Sequence, residues 1–176
     1  MKIDKVVTGY LEGNCYILTI DNESLIIDPG DDYHLIKEKL GKNKVIGILL
    51  THSHFDHTGA VEKILEDYNT QVYAFDNLSE GSFKIKNFTF EVVYTPGHTA
   101  DSISFYFEQE KIMFTGDFLF KESIGRCDLP TGSIDQMKKS LNKINKYSND
   151  VIIYPGHGDE TTLLYERSNN QYLFTK

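Results

Sequence analysis

The sequence is organised around the stretch Thr51-His52-Ser53-His54-Phe55-Asp56-His57-Thr58-Gly59, in which four potential metal ligands fall within six residues. It directly follows the apolar run Val45–Leu50, which has almost no polar alternation and therefore predicts a strand covered on both faces. A strand that ends in such a turn directs the ligand side chains into a shared space. Three of the chain's six histidines lie here, so the stretch predicts a metal site.

Other potential ligands stand where further predicted strands end; these are His98, Asp117 and His157. Side chains at several strand ends can converge on one edge of a sheet, which would assemble a site from distant parts of the sequence. Neutral imidazole and carboxylate are ligands that borderline divalent metals such as zinc prefer. Five histidines and two aspartates are too many for one tetrahedral ion. They suit two ions that share a bridging carboxylate and a bridging water.

Length and composition predict one globular domain, residues 1–176, because roughly 100–200 residues per domain is usual. The net charge of −8 argues against a nucleic-acid partner, which would favour a basic surface. Two cysteines are too few for a disulfide framework. The sequence shows neither the apolar segment of a signal peptide nor a membrane-length apolar run. We therefore expect a cytoplasmic protein without a membrane partner, and the oligomeric state stays unknown.

Apolar periodicity and turn residues predict two groups of strands, each followed by helices. The first group has strands at Lys2–Val7, Asn14–Ile20, Ser24–Asp28, Val45–Leu50 and Gln71–Phe75, and helices at Asp32–Leu40 and His57–Tyr68. The second has strands at Phe88–Tyr94, Ser102–Phe107, Lys111–Thr115 and Val151–Tyr154, and helices at Ser133–Tyr147 and Thr161–Ser168. Loops are predicted at Asp76–Ser82 and Phe118–Gly132, the second of them functional. The pattern indicates an α/β protein.

The ligand-bearing motifs and their order resemble those of the metallo-β-lactamase superfamily. They are His52-x-His54-x-Asp56-His57, Thr95-Pro96-Gly97-His98-Thr99, Thr115-Gly116-Asp117 and Tyr154-Pro155-Gly156-His157. The resemblance covers nearly the whole chain. It implies an α/β fold, a four-layer αβ/βα sandwich in which two mixed sheets lie face to face. Helices would cover the outer faces, and the metals would lie at one edge.

The resemblance also implies how the ligands divide between two divalent ions. The first ion would be held by His52, His54 and His98. The second would be held by Asp56, His57 and His157, with Asp117 bridging the two. Asp56 and Asp117 are the carboxylates expected to be catalytic. The metal would be zinc, although iron and manganese are also accepted by His/Asp ligand sets.

Within the superfamily, the residues favour the short glyoxalase II-like hydrolases. The β-lactamases of this fold typically carry Cys at the position of Asp117, and flavodiiron proteins usually carry Glu at that of His54. The segment Ser123–Pro130 and the tail Glu166–Leu173 are similar to those of the glyoxalase II-like group. The resemblance implies hydrolysis of small acyl thioesters, as in hydroxyacylglutathione hydrolase, with a metal-bridging hydroxide as nucleophile.

Several alternatives stay open. A mononuclear non-haem iron persulfide dioxygenase shares the fold and uses two His and one Asp on iron. A hydrolase of lactones or other esters would use the same hydroxide. Arg126 is either a contact for a substrate anion or an ion-pair partner of Asp128. Asp28 either orients a ligating histidine or serves as a turn residue before Pro29. Recognition of glutathione also stays open, because enzymes with a full glutathione site continue into a C-terminal helical domain.

Overall fold

The computed structural model describes residues 1–173, and its first sheet is built from the N-terminal strands. The five strands are β1 (Lys2–Thr8), β2 (Gly13–Ile20), β3 (Glu23–Ile27), β4 (Lys44–Leu49) and β5 (Val72–Tyr73). They lie side by side in chain order. The first three form an antiparallel meander, while β4 and β5 add in parallel. The sheet is therefore mixed, as predicted.

The second sheet contains β6 (Gly81–Ile85), β7 (Phe88–Tyr94), β8 (Ile103–Phe107), β9 (Ile112–Gly116), β12 (Ile152–Pro155) and β13 (Thr161–Thr162). Its order is β13-β12-β9-β8-β7-β6. Only the β9–β12 pairing is parallel among these described strands, so this sheet is mixed as well. Between β9 and β12 the chain forms a small separate hairpin, β10 (Leu119–Phe120) and β11 (Ser123–Ile124).

The helices are α1 (Tyr33–Leu40), α2 (Phe55–Thr58), α3 (Val61–Asp67), α4 (Ile134–Lys143) and α5 (Leu163–Asn169), with a 3-10 turn at Ile144–Lys146. Alternating side chains of the strands show how the layers stack. In β3, Leu25 and Ile27 join the core between the sheets, whereas Ile26 packs with residues of α1 and α3. In β9, Phe114 lies between the sheets and Met113 packs against α4 and α5. The predicted four-layer αβ/βα sandwich is confirmed.

Strand direction brings the predicted ligands to one edge of this sandwich. In the second sheet β7, β9 and β12 run in the same direction, and in the first β3 and β4 do. The two sheets are joined there by backbone hydrogen bonds. Asn14 N donates to Gly156 O at 2.7 Å, and Ile103 N donates to Thr51 O at 2.8 Å. The loops after these strands therefore face a common cleft.

The predicted helix His57–Tyr68 was wrong in detail, because two helices occupy this region. Residues 59 and 60 pack against the turn after β3. Ala60 N donates to Pro29 O at 3.0 Å, and a Cβ on Gly59 would lie only 2.3 Å from Gly30 O. The chain bends here because its backbone contacts another backbone. A regular helix through this point would lose that contact.

Several other boundaries differ from the prediction. Strand β6 begins inside the predicted loop Asp76–Ser82, and the predicted loop Phe118–Gly132 contains the β10–β11 hairpin. The predicted strand Gln71–Phe75 shrinks to two residues at the edge of its sheet. Within residues 1–173, the helices are all too short or too polar to cross a bilayer.

Candidate metal centre

The structure brings all seven predicted ligands together at the shared edge of the two sheets. Their ligand atoms form three overlapping groups, each spanning at most 4.8 Å: His52, His54 and His98; His52, His57 and Asp117; Asp56, His57 and His157. Four of the side chains follow β4, and the others follow β7, β9 and β12. His52, His57 and His98 are buried, while the other four are half-buried.

The first group has the spacing of ligands around one ion. His54 Nδ1 lies 3.2 Å from His52 Nε2 and 3.0 Å from His98 Nε2. Zinc–nitrogen bonds of about 2.0–2.1 Å in a tetrahedron place neighbouring nitrogens about 3.3 Å apart. The three imidazoles therefore fit one metal ion without rearrangement.

The second group is centred on Asp56. Its Oδ2 lies 3.3 Å from His157 Nε2 and 3.8 Å from His57 Nε2. One carboxylate and two imidazoles are again suitable ligands for a borderline divalent ion. The arrangement offers a second metal position beside the first.

Asp117 lies between the two groups, because its oxygens face different histidines. Oδ1 is 3.3 Å from His57 Nε2, and Oδ2 is 3.4 Å from His98 Nε2. Among the described residues, Asp117 Oδ1 and His57 Nε2 are buried without a hydrogen-bond partner. Buried polar atoms are normally paired, so two such atoms facing each other mark a place for positive charge, which a proton or a metal cation can supply. The residues present thus fit a two-metal centre, and their individual roles as ligands stay predictions.

Asp28 holds the metal-facing turn in place from outside the centre. Its Oδ1 accepts from Thr51 N at 2.8 Å, and its Oδ2 accepts from Thr51 Oγ1 at 2.6 Å and His57 Nδ1 at 3.1 Å. A proton fixed on Nδ1 leaves the Nε2 lone pair of His57 free to bind metal. Of the two alternatives for Asp28, the structure therefore favours the orienting role.

Backbone carbonyls orient two other histidines. His98 Nδ1 donates to Arg126 O at 2.8 Å, and His157 Nδ1 donates to Leu11 O at 3.0 Å. Sequence reasoning missed both contacts. A carbonyl is present in every residue, so no residue type at position 11 or 126 could have signalled this role.

Two glycines allow the motifs to approach closely. Gly116 has φ +50°, and a Cβ there would lie 2.2 Å from Thr51 Oγ1. A Cβ on Gly156 would lie 2.3 Å from Asp117 Oδ1. Because a larger residue would displace the ligand or its support, these positions of the Thr-Gly-Asp and Pro-Gly-His motifs require glycine.

Arg126 lies on the loop beside His98 and has a partner of its own. Its guanidinium donates to both carboxylate oxygens of Asp128, at 2.7 and 2.8 Å. Both side chains are exposed, and this contact lowers the pKa of Asp128 to about 2. The ion pair is present, and a contact of Arg126 with substrate stays a prediction.

The charges of the cluster are strongly coupled. Burial lowers the pKa of His57, but Asp117 and Asp28 outweigh it and raise that pKa to about 10. Burial would raise the pKa of Asp117, yet His57 and its neighbours hold it well below its usual range. Burial and the nearby histidines lower the pKa of His52. Without metal, His57 therefore carries the proton that balances Asp28 and Asp117.

The fold and the ligand set define a class of protein, and comparison with known sequences agrees. A family model described as the metallo-beta-lactamase superfamily matches residues 8–83 and 77–157. The chain belongs to this superfamily.

Similar proteins within it point to a metallo-hydrolase. Hydroxyacylglutathione hydrolase GloC of Haemophilus influenzae is 30% identical, with all of both chains covered. The crystal structure of the BLEG-1 B3 metallo-beta-lactamase is 32% identical with a TM-score of 0.95, covering 99% of this chain and 100% of the other. That of TTHA1623 in a di-iron-bound form is 29% identical with a TM-score of 0.87, covering 97% and 100%.

We expect Asp28→Asn to weaken metal binding by about 10–100-fold, because an amide cannot accept from all three donors at once. Asn tolerates the positive φ of position 28, so the turn itself should remain. Metal content after dialysis against a weak chelator would measure the effect. Asp21→Asn is the matched control, since Asp21 also has positive φ but is exposed in the turn after β2. Equal metal retention by both variants would contradict an orienting role.

We also expect metal binding to release a proton from His57 at neutral pH. A folded-state pKa of about 10 means that this imidazole is charged at pH 7 in metal-stripped protein, and a ligating nitrogen must lose its proton. Apparent metal affinity should therefore rise as pH increases from 7 towards 10. Calorimetry in buffers of different ionisation enthalpy counts the protons released. His57→Asn should release one proton fewer; an unchanged count would refute the assignment.

Proposed function

We propose that this protein is a metal-dependent hydrolase of small acyl thioesters that resembles hydroxyacylglutathione hydrolase. The observation that carries the proposal is the pair of ligand groups joined by the buried carboxylate of Asp117. The name of the Haemophilus influenzae relative supports the thioester class. We propose zinc as the metal, with iron or manganese as alternatives, and the di-iron form of TTHA1623 supports testing iron directly.

Two bound divalent cations would supply a hydroxide at neutral pH by lowering the pKa of a shared water to about 7. The chain's own residues prepare the place for that chemistry. The pKa of Asp56 is held low mainly by His157, and that of Asp117 is low as well, so both carboxylates are ionised at neutral pH. Ionised, the two carboxylates would hold the metal ions, and Asp56 Oδ2 or Asp117 Oδ1 would accept a proton from the nucleophilic water. They do not act as acids for the leaving group.

The leaving group of a thioester suits such a site. A thiolate leaves with a pKa near 8.5, so it needs little help from a general acid. An amine or alkoxide leaving group would need a proton donor. With both carboxylates ionised, the centre favours substrates whose leaving group departs as an anion.

We further propose that residues 1–176 act as one domain. The ligand set supports this, because His52, His54, Asp56 and His57 follow the first sheet, whereas His98, Asp117 and His157 follow strands of the second. Neither sheet alone supplies all the ligands that two ions would need.

Hydrolysis of β-lactams is a second candidate, favoured by one observation. The crystal structure of the BLEG-1 B3 metallo-beta-lactamase matches this chain over nearly its full length. The same nucleophile would attack a β-lactam carbonyl. The amide nitrogen is the poorer leaving group here, so we expect thioesters to be the better substrates.

Protein loaded separately with zinc, iron or manganese should hydrolyse acyl thioesters faster than lactones or a chromogenic β-lactam. Asp117→Asn should lower kcat by roughly 10²–10³-fold, the usual effect of losing one group that stabilises the transition state. Asp135→Asn, an exposed carboxylate in the first turn of α4, is the matched control. Absence of thioester turnover with all three metals would refute the proposal. Oxygen uptake with glutathione persulfide would instead support the dioxygenase alternative.

The substrate role of Arg126 can be tested against its ion pair. If the guanidinium binds a substrate anion, Arg126→Gln should raise KM for anionic thioesters about tenfold and leave neutral ones unchanged. Asp128→Asn should then lower KM, because it frees the guanidinium from its present partner. Steady-state kinetics of the two variants on matched anionic and neutral thioesters would decide. Unchanged KM values in both variants would mean that Arg126 does not bind the substrate and acts only as the ion-pair partner of Asp128.

A further inference from the structure

Helix α5 ends in a buried polar cluster that contacts the β10–β11 hairpin. Glu166 and Asn170 both have 0% exposure. Glu166 Oε2 accepts from Glu122 N and from Asn170 Nδ2, both at 2.8 Å, and its Oε1 accepts from Thr161 Oγ1 at 2.7 Å. Asn170 Nδ2 also donates to Ser123 O at 3.0 Å. The two side chains therefore hydrogen-bond to the backbone of the hairpin turn.

This turn belongs to the segment that carries part of the metal centre. Asp117 lies two residues before the hairpin, and Arg126, whose carbonyl orients His98, lies two residues after it. Gly125, between the hairpin and Arg126, packs closely against Asp117 and His98. A Cβ there would lie 1.8 Å from Asp117 O and 3.1 Å from His98 Nδ1. The two ends of the hairpin are thus packed against each other and against a ligand.

The hairpin packs on the core through the buried side chain of Leu119, but its own pairing is too short to fix the turn. It has two residue pairs, Leu119 with Ile124 and Phe120 with Ser123. Isolated two-stranded hairpins of any length are only marginally stable in water. Its turn therefore needs an external support, and Glu166 and Asn170 provide one.

Burial of the Glu166 carboxylate costs free energy of hydration. A buried carboxylate needs several donors to offset its lost hydration, and an apolar side chain would pack with less penalty. Its partners at Glu122, Thr161 and Asn170 are neutral donors, so no ion pair with them compensates the charge. What the carboxylate does achieve is a fixed position for the backbone of the turn.

We propose that Glu166 and Asn170 are positioning residues for the metal centre, which act through the β10–β11 hairpin on Asp117 and on the Arg126 carbonyl that orients His98. The inference rests on the proposed metal ligation and not on the thioester substrate. It can therefore be tested without substrate.

The imidazole N–H protons report this geometry directly. In zinc-loaded protein with ¹⁵N-labelled histidine, the Nδ1–H of His98 should give a protected resonance, because it donates to Arg126 O. Asn170→Ala should remove or broaden this resonance well below the unfolding temperature. The Nδ1–H of His57, which donates to Asp28, should stay unchanged as an internal control. Asn169→Ala is the matched variant, since Asn169 is exposed and its side chain donates to Tyr165 O in its own helix.

Zinc affinity provides the second readout. Asn170→Ala and Glu166→Met should weaken zinc binding about tenfold, the lower end of the range for lost outer contacts. Glu166→Gln should restore it, because the new amide can donate to Thr161 Oγ1 while its oxygen still accepts from Glu122 N. A merely structural role would lower the unfolding temperature of Asn170→Ala and Glu166→Met without moving the His98 resonance.

Two results would distinguish failure of the proposed function from failure of the positioning role. Wild-type protein that binds no zinc, iron or manganese would overturn the proposed function. Wild-type protein that binds metal, with unchanged His98 resonance and affinity in Asn170→Ala and Glu166→Met, would overturn the positioning role alone.

Discussion

The lone pairs of five imidazoles and two carboxylates converge on a space only a few ångströms wide, and they require positive charge among them. His54 Nδ1 lies 3.0 and 3.2 Å from two other ring nitrogens, and Asp117 Oδ1 is buried beside His57 Nε2. Protons can supply part of that charge, as the raised pKa of His57 shows. Divalent cations would supply it at every position at once. Much of the surrounding structure serves to hold these donors in place.

That support comes from different kinds of group on the two sides of the cleft. On the side of the first sheet, the Asp28 carboxylate accepts three hydrogen bonds and fixes Thr51 and His57 together. On the side of the second sheet, a main-chain carbonyl at Arg126 orients His98, and the loop that carries it is fastened by α5. His57, after the first sheet, is therefore held by a side chain that contacts it directly. His98, after the second sheet, is held through the backbone of the loop.

The sequence was sufficient to predict most strands and to single out the candidate ligands, because apolar runs report strands and His and Asp after them report ligand chemistry. The four-layer arrangement was implied by the resemblance of the ligand motifs to a known family. The contacts that orient the histidines were harder to predict from the sequence. Asp28 was ambiguous beside Pro29, and the carbonyls of Leu11 and Arg126 have no residue-specific signature. The break at Gly59 depends on packing against Gly30, which is distant in sequence. Contacts made by backbone across long separations were what the sequence could not supply.

The distribution of ligands between the sheets has a mechanical consequence. His52 and His54 follow a strand of one sheet, and His98 follows a strand of the other. An ion held by these three side chains is a cross-link between the two halves of the sandwich. Because the unfolded chain does not preform such a site, the free energy of metal binding adds to the free energy of folding. A metal-loaded cleft would therefore also hold the two sheets together, and metal depletion would weaken the contact between them.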